Sequence, residues 1–256
     1  MRTPVIAHRC GRAYGPDSSR RALAAALAGP LDGVETDVCI TRDDALVCLP
    51  DTYLPLATTV MGWVHERSAD EVLAGRLLHG FGRETGERPL LVDELLDLVP
   101  PGLTVQLGVK AHADAALARR TASALAALLA GRADAGRVEV LSFHAAAIEQ
   151  AAARGLAARL VVWANYTPAV LARWAADRGL LGVCVEHLLL EGPIVTALRD
   201  AGLSITTGTV NHAVVAERVL VHAPDAITSD RPHELTAELA EQQRLGRLIS
   251  FPRACR

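Results

Sequence analysis

Gly33-Val34-Glu35-Thr36-Asp37-Val38-Cys39-Ile40 is the stretch on which the reading of this chain turns. Its apolar and β-branched residues predict a buried strand. Glu35 and Asp37 stand two apart, so both carboxylates leave the same face of that strand. Burying two carboxylates among Val, Thr, Cys and Ile is costly unless a cation or donors meet them. A hard divalent ion such as Mg²⁺ or Ca²⁺ is a natural partner for clustered oxygens. A salt-bridge network with Arg9 and Lys110 would satisfy them equally.

Outward from this strand the chain alternates. Strand-like runs fall at 5–8, 33–40, 46–48, 104–109, 138–142, 160–163, 182–185, 203–207 and 226–228. Helical periodicity falls between most of them, at 19–28, 69–77, 92–98, 113–129, 145–154, 168–178, 193–201 and 213–221. Ser68 with Glu71 fits a capping box, and Thr167-Pro168 fits an N-cap followed by proline. Gly155, Gly179 and Gly202 fit helix ends. Repeated strand–helix alternation means a parallel sheet covered by helices. About eight such units in about 250 residues predict a closed (β/α)₈ TIM barrel, an α/β fold, as one domain over 1–256. The run at 46–48 follows the turn-like Arg42-Asp43-Asp44 without a helix, so it is expected to form a hairpin with the second strand. The stretch 51–88 is too long for an ordinary βα loop and is expected to pass over the barrel mouth. Residues 236–256 read as a peripheral polar tail.

Composition excludes several partners. The 256 residues carry 26 basic and 29 acidic side chains, a net charge of −3. That balance gives no case for nucleic acid or an anionic membrane, and aromatics at 4% do not supply stacking platforms. No apolar run reaches transmembrane length, and no signal peptide is visible. Five cysteines, an odd number without a C-x-x-C, fit buried thiols in a cytoplasmic protein rather than a disulfide framework. The oligomeric state is not written in the sequence.

In a (β/α)₈ barrel the reactive groups come from the C-terminal ends of strands. Those ends supply His8-Arg9, Glu35 and Asp37, Asp51, Lys110, Ser142-Phe143-His144, Trp163 with Asn165, Glu186-His187, Thr209 to Asn211, and Ser229-Asp230-Arg231. Arg9 and Lys110 suit a phosphate. His8, beside two carboxylates, is a candidate general acid or base.

The ordered set resembles the glycerophosphodiester phosphodiesterase family. Ile6-Ala7-His8-Arg9, Gly33 to Val38 and Thr41-Arg42-Asp43 look like its beginning. Pro89 to Leu95, Ser142-Phe143, Thr209-Val210-Asn211 and Ile227 to Pro232 follow in its order, over roughly residues 4 to 235. The resemblance implies a barrel of the phospholipase C-like phosphodiesterase type, acting in lipid metabolism. It implies hydrolysis of glycerophosphodiesters to glycerol 3-phosphate and an alcohol, with a divalent metal on three carboxylates and two histidines as acid and base. The first histidine maps to His8, two metal carboxylates map to Glu35 and Asp37, and the phosphate falls to Arg9 and Lys110. Asp17 and Asn211 map to substrate-binding positions.

The chain departs from that pattern at five places. The family's His-Asp pair reads Pro50-Asp51, and its Glu-x-Lys reads Gly108-Val109-Lys110. Its Pro-Glu-Asn-Thr reads Pro16-Asp17-Ser18-Ser19, an aromatic is replaced by Gly208, and the glycine after His-Arg is Cys10. Losing a general acid or base typically costs about 10²- to 10⁴-fold in rate. His144, His187 and His212 follow strand ends and are candidates to replace the missing acid; Glu186 or Asp17 is a candidate third metal ligand. Two expectations follow: a divergent phosphodiesterase, with an altered substrate or stopping at a cyclic phosphate, or a catalytically impaired barrel that binds a phosphorylated small molecule or partner. A sugar-phosphate isomerase or aldolase has the fold's general support and no motif.

Overall fold

Alternating strands and helices build a closed barrel in the computed structural model, which describes residues 2–245. Its eight parallel strands are β1 (Val5–Ala7), β2 (Gly33–Ile40), β3 (Thr104–Val109), β4 (Val138–Ser142), β5 (Ala157–Val162), β6 (Gly182–Glu186), β7 (Ser204–Gly208) and β8 (Ala226–Ser229). Each pairs in parallel with the next, and β1 pairs with both β8 and β2, so the sheet closes. Closure leaves no parallel edge for another chain to extend. In the register between β2 and β3, Glu35 lies opposite Gln106 and Asp37 opposite Gly108.

Helices Arg20–Leu27, Ala115–Ala130, Ala145–Ala153, Pro168–Asp177, Gly192–Asp200, Ala213–Leu220 and Pro232–Arg244 cover the strands. Their apolar stripes bury Leu23, Leu125, Ile148 and Leu198 against Val34, Leu107, Val140 and Ile205 of the sheet. Ser19 and Asp114 cap two of these helices through their side chains, and Ser68 with Glu71 makes the expected capping box. Thr167 occupies the N-cap before Pro168 as expected, without a side-chain capping bond. Gly155, Gly179 and Gly202 adopt positive φ just past helix ends, where a Cβ would be strained.

The bottom of the barrel is polar. Arg159 on β5 makes two bonds to Glu139, 2.8 Å from Nε to Oε2 and 3.0 Å from Nη2 to Oε1. Gln106 donates to the same carboxylate at 2.8 Å. Arg159 Nη1 then crosses β6 to Ser204 Oγ at 2.7 Å. Gly182 makes that crossing feasible: a Cβ there would stand 2.5 Å from Arg159 Nη1 and 2.1 Å from the Ser204 carbonyl oxygen.

After β2 the chain leaves the barrel rhythm. Leu46–Cys48 folds back antiparallel on β2, with Val38 opposite Cys48, and Leu90–Leu91 pairs outside it. Between them, residues 51–88 hold two 3₁₀ turns, the helix Ala69–Leu73 and a ribbon of Leu78–His79 with Arg83–Glu84. Their apolar side chains form a second small core with the hairpin, made of Cys39, Val47, Leu49, Leu54, Ala57, Val64, Val72 and Leu77. None of its residues lines the cavity within the barrel; Leu56, Ala57 and Leu78 to Gly82 line a neighbouring groove with Arg12, Asp17 and Pro50. Of the predicted tail, residues 246–256 lie outside the described residues. No helix among the described residues is long and apolar enough to cross a membrane.

Candidate active site

β1 ends one residue earlier than expected, and His8 opens a tight turn, His8–Cys10. Arg9 and Cys10 both take left-handed backbone, at φ 47° and 63°. Cys10 stands where the resembling family carries glycine, the residue that adopts such angles without strain. The turn aims the Arg9 backbone N–H at Glu35 Oε2, 2.9 Å away, and swings the guanidinium over β2. There Arg9 Nη1 donates to Asp17 Oδ2 at 2.7 Å. Arg9 Nε lies 2.9 Å from Asp37 Oδ2; its N–H is not aimed at that oxygen, so this contact is an ion pair without a hydrogen bond. Lys110 Nζ sits 2.9 Å from Asp37 Oδ1. Asp37 is thus clamped between two cations.

His8 is held from the other side. Its Nδ1 lies 2.6 Å from Asp230 Oδ1 at the end of β8. A carboxylate only accepts, so Nδ1 carries the proton and Nε2 is left for chemistry. Asn211 locks Asp230, donating to its Oδ2 at 2.7 Å and accepting from its backbone N–H at 2.8 Å. Burial favours the neutral imidazole, but the bond to Asp230 and the charges of Glu35 and Asp37 outweigh it and raise the His8 pKa. Glu35 is also pushed up, chiefly by burial and then by the charge of Asp37. Each proton that His8 or Glu35 holds moves the site one charge toward accepting an anion. Burial is the largest single influence on Lys110 and lowers its pKa, but the charge and bond of Asp37 with the charge of Glu35 together leave it raised.

A cavity of about 120 Å³ opens beside these groups. His8, Glu35 and Lys110 line one side; Leu141, Phe143, Val161 and Cys184 line another, and Glu186 stands across it on β6. Burial pushes the Cys184 thiol up to about 11, so it is no nucleophile at neutral pH. Glu186 bonds His187 Nδ1.

The structure therefore brings together His8, Arg9, Glu35, Asp37 and Lys110, with Asp17 behind them. It separates others. Arg9, expected on the phosphate, is turned onto Asp17 and Asp37 and does not line the cavity. Asp17 also pairs with Arg12, at 3.1 Å, and faces a neighbouring groove with Pro50. Asn211 spends its amide on Asp230 and Ser229 and does not line the cavity. His144 and His212 occupy helix N-caps away from the cavity lining. Of the compensating candidates, Glu186 reaches the cavity, with His187 as its partner. Sequence reasoning missed the work of Asp230, although its strand-end position was visible. It also gave no role to His112, whose Nε2 lies 3.3 Å from Asp51 Oδ1 beside an adjacent groove.

The residues present do not fit a divalent metal. Mg²⁺ requires an octahedron of oxygens and Ca²⁺ six to eight. Both oxygens of Asp37 already face Lys110 and Arg9, and Gly108 supplies no side chain where a third carboxylate would stand. A Cβ at Gly108 would meet Asp37 Oδ1 at 3.0 Å and Glu35 Oε1 at 3.2 Å. Among the described residues, no three His, Cys, Asp or Glu side chains group to hold a metal. The salt-bridge alternative is the arrangement observed.

The sequence model of the Glycerophosphoryl diester phosphodiesterase family matches residues 8–234. The chain belongs to that family. A glycerophosphodiester phosphodiesterase of Bacillus altitudinis is 34% identical over 98 residues, 38% of this chain and 40% of that one. The chain thus covers well under two thirds of that relative's length. Solved structures extend the likeness of fold. A phosphodiesterase of Oleispira antarctica, solved with the product sn-glycerol-3-phosphate, superposes with a TM-score of 0.81 at 21% identity, covering 93% of this chain and 96% of that one. A glycerophosphodiester phosphodiesterase of Parabacteroides distasonis gives 0.77 at 20% identity, over 94% and 98%.

Proposed function

We propose that this protein cleaves a phosphodiester, with His8 and the Glu186–His187 pair transferring protons on opposite sides of the cavity and Lys110 holding the phosphate. The observation that carries this reading is the pinned His8: Asp230 fixes its ring so that Nε2 lies 3.9 Å from Glu35 Oε2, in a cavity that Lys110 also lines. In the protonated form His8 gives its Nε2 proton to the leaving alcohol oxygen as the phosphorus–oxygen bond breaks. The attacking oxygen, from water or from a neighbouring hydroxyl of the substrate, loses its proton to Glu186 as its bond to phosphorus forms. Attack by the substrate's own hydroxyl stops at a cyclic phosphate. Arg9 acts from behind: it neutralises Asp37 and so leaves the Lys110 charge available to the phosphate. Family membership supports glycerophosphodiesters as the reference substrates, and the product bound to the Oleispira antarctica relative supports a small phosphorylated ligand. No step is routed through a metal, because both oxygens of Asp37 face Arg9 and Lys110 and Gly108 supplies no third carboxylate beside Glu35.

The test is hydrolysis of glycerophosphocholine with Mg²⁺, with Ca²⁺ and with EDTA, beside a His8→Ala control. Turnover that the control loses, and that EDTA leaves within about twofold, is the expected result. The clamped Asp37 also favours a second reading, in which the barrel binds a phosphorylated molecule without cleaving it. Calorimetric binding of sn-glycerol 3-phosphate with no turnover above the control would establish that reading instead.

A further inference from the structure

Lys110 stands between a carboxylate and an aromatic ring. Its Nζ lies 2.9 Å from Asp37 Oδ1 and 5.3 Å from the centre of the Phe143 ring. An ammonium within about 6 Å of a ring centre is attracted to the negative face of the π system. Lys110 and Phe143 both line the barrel cavity. Phe143 is 51% exposed, so burial in a core does not account for a large apolar side chain at that place.

The pair is built by the strand ends. Lys110 follows β3 and Phe143 follows β4, and these strands are neighbours in the sheet. Ser142, buried at the end of β4, donates its hydroxyl to the Val109 carbonyl at 2.8 Å and accepts from the His144 N–H at 3.0 Å. One hydroxyl thus ties the residue before Lys110 to the residue after Phe143. The backbones that carry ammonium and ring are fixed to each other.

Phe143 also stands at a seam of the mouth. Asp230, His8, Glu35, Asp37 and Lys110 make the arc from β8 to β3 charged. Beyond Phe143, the loops after β5 and β6 present Trp163, Tyr166 and Leu188, all exposed. At that seam a ring does what other side chains would not. The lysine stem is long and flexible, and an aliphatic residue at 143 would leave Asp37 as its anchor. A carboxylate at 143 would draw the ammonium away from Asp37 and cancel its charge. An aromatic ring attracts the ammonium without neutralising it, so the charge is left to an incoming anion.

We infer that Phe143 is a positioning residue: its ring holds the Lys110 ammonium at the cavity wall for the phosphate of the substrate, while Asp37 anchors the same ammonium from β2. The inference rests on the proposed placement of phosphate on Lys110 and adds the group that keeps the cation there. No bond forms or breaks at the ring.

The experiment changes the electrostatics of the ring and keeps its shape. Phe143 is replaced by 4-fluoro-, 3,5-difluoro- and 3,4,5-trifluorophenylalanine, each of which weakens the negative face further, and separately by Leu. Calorimetry gives the Kd of sn-glycerol 3-phosphate for each protein, and hydrolysis of glycerophosphocholine gives KM and kcat. A cation–π contact outside a fully desolvated site is worth about two- to fivefold in a binding constant. Kd is expected to rise stepwise along the series, to about fivefold at the trifluoro ring and in Phe143→Leu, with KM rising in parallel. Fluorine makes a ring more apolar, so a ring that merely touched the substrate would lower Kd along the series or leave it unchanged. A Kd that does not rise with fluorination, or a loss in Phe143→Leu that every fluorinated ring restores in full, would mean that the ring acts by bulk and would overturn the inference. If glycerophosphocholine is not cleaved, the proposed reaction fails, and the Kd series still decides the role of Phe143. Wild-type protein that binds neither sn-glycerol 3-phosphate nor inorganic phosphate would overturn the inference as well.

Discussion

The bond between His8 Nδ1 and Asp230 Oδ1, at 2.6 Å, decides which ring nitrogen carries the proton. Asp230→Asn keeps the shape but removes the charge, and an amide can also favour the wrong tautomer. We expect kcat to fall by about 10²-fold or more while KM changes little. Asp230 also helps hold the His8 pKa up against burial, so the histidine limb of the pH–rate profile should move to lower pH. A purely structural role would lower the amount of folded enzyme without moving that limb. Glu35 gives a prediction of opposite sign. Its carboxylate is buried beside Asp37, and burial is the first cause of its raised pKa. Glu35→Gln removes the like charge, and the amide oxygen still accepts from the Arg9 N–H. Stability should rise by about 1 kcal/mol, seen as a Tm increase of roughly 2–4 °C, while activity falls.

At the scale of elements, the polar layer under the cavity fixes how β3, β4, β5 and β7 meet. Gly182→Ala would drive a methyl group into the Ser204 carbonyl and the Arg159 guanidinium. Overpacking of this kind costs about 1–3 kcal/mol or more, so urea unfolding should show a clearly lower midpoint with an unchanged slope. Glu139 adds a pH dependence. Burial alone would raise its pKa, and Asp225 adds to that, but the bonds and charge of Arg159 and the bond from Gln106 leave it lowered. A carboxyl with a depressed folded-state pKa contributes stability that is complete above its unfolded value, about 4.5. That contribution fades as pH falls through the lower folded value. Glu139→Gln should therefore lower stability at pH 7 and narrow its gap from wild type at pH 3, as urea titrations at the two pH values would record. These elements also mark what the sequence discloses. The strand–helix alternation and the hairpin at 46–48 were legible because hydrophobic period and turn residues act locally. So was the shared face of Glu35 and Asp37, which follows from the pleat. The aim of Arg9 was not legible, because it depends on positive φ at Arg9 and Cys10, two residue types that do not announce it. Nor was the engagement of Asn211 with Asp230, a contact between the ends of β7 and β8 that exists only once those two strands have paired.

The whole molecule sets two chemical fields against each other over one mouth, charged along β8 to β3 and apolar along β4 to β6. The hairpin and residues 51–88 stand outside that division, on a core of their own. That arrangement makes the stretch a separate cooperative unit. Its apolar contacts are few beside those of the barrel, so it should open by itself, with the eight strands intact. Native-state hydrogen exchange should show the amides of Ala69–Leu73 and Leu78–His79 exchanging at a lower free energy than those of β3 to β6. A protease should nick the exposed Gly80-Phe81-Gly82 tip and leave a nicked, still assembled barrel. A lineage of such proteins could then remodel or exchange this stretch without refounding the barrel. The flank of the mouth is where new specificities would be cheapest to acquire.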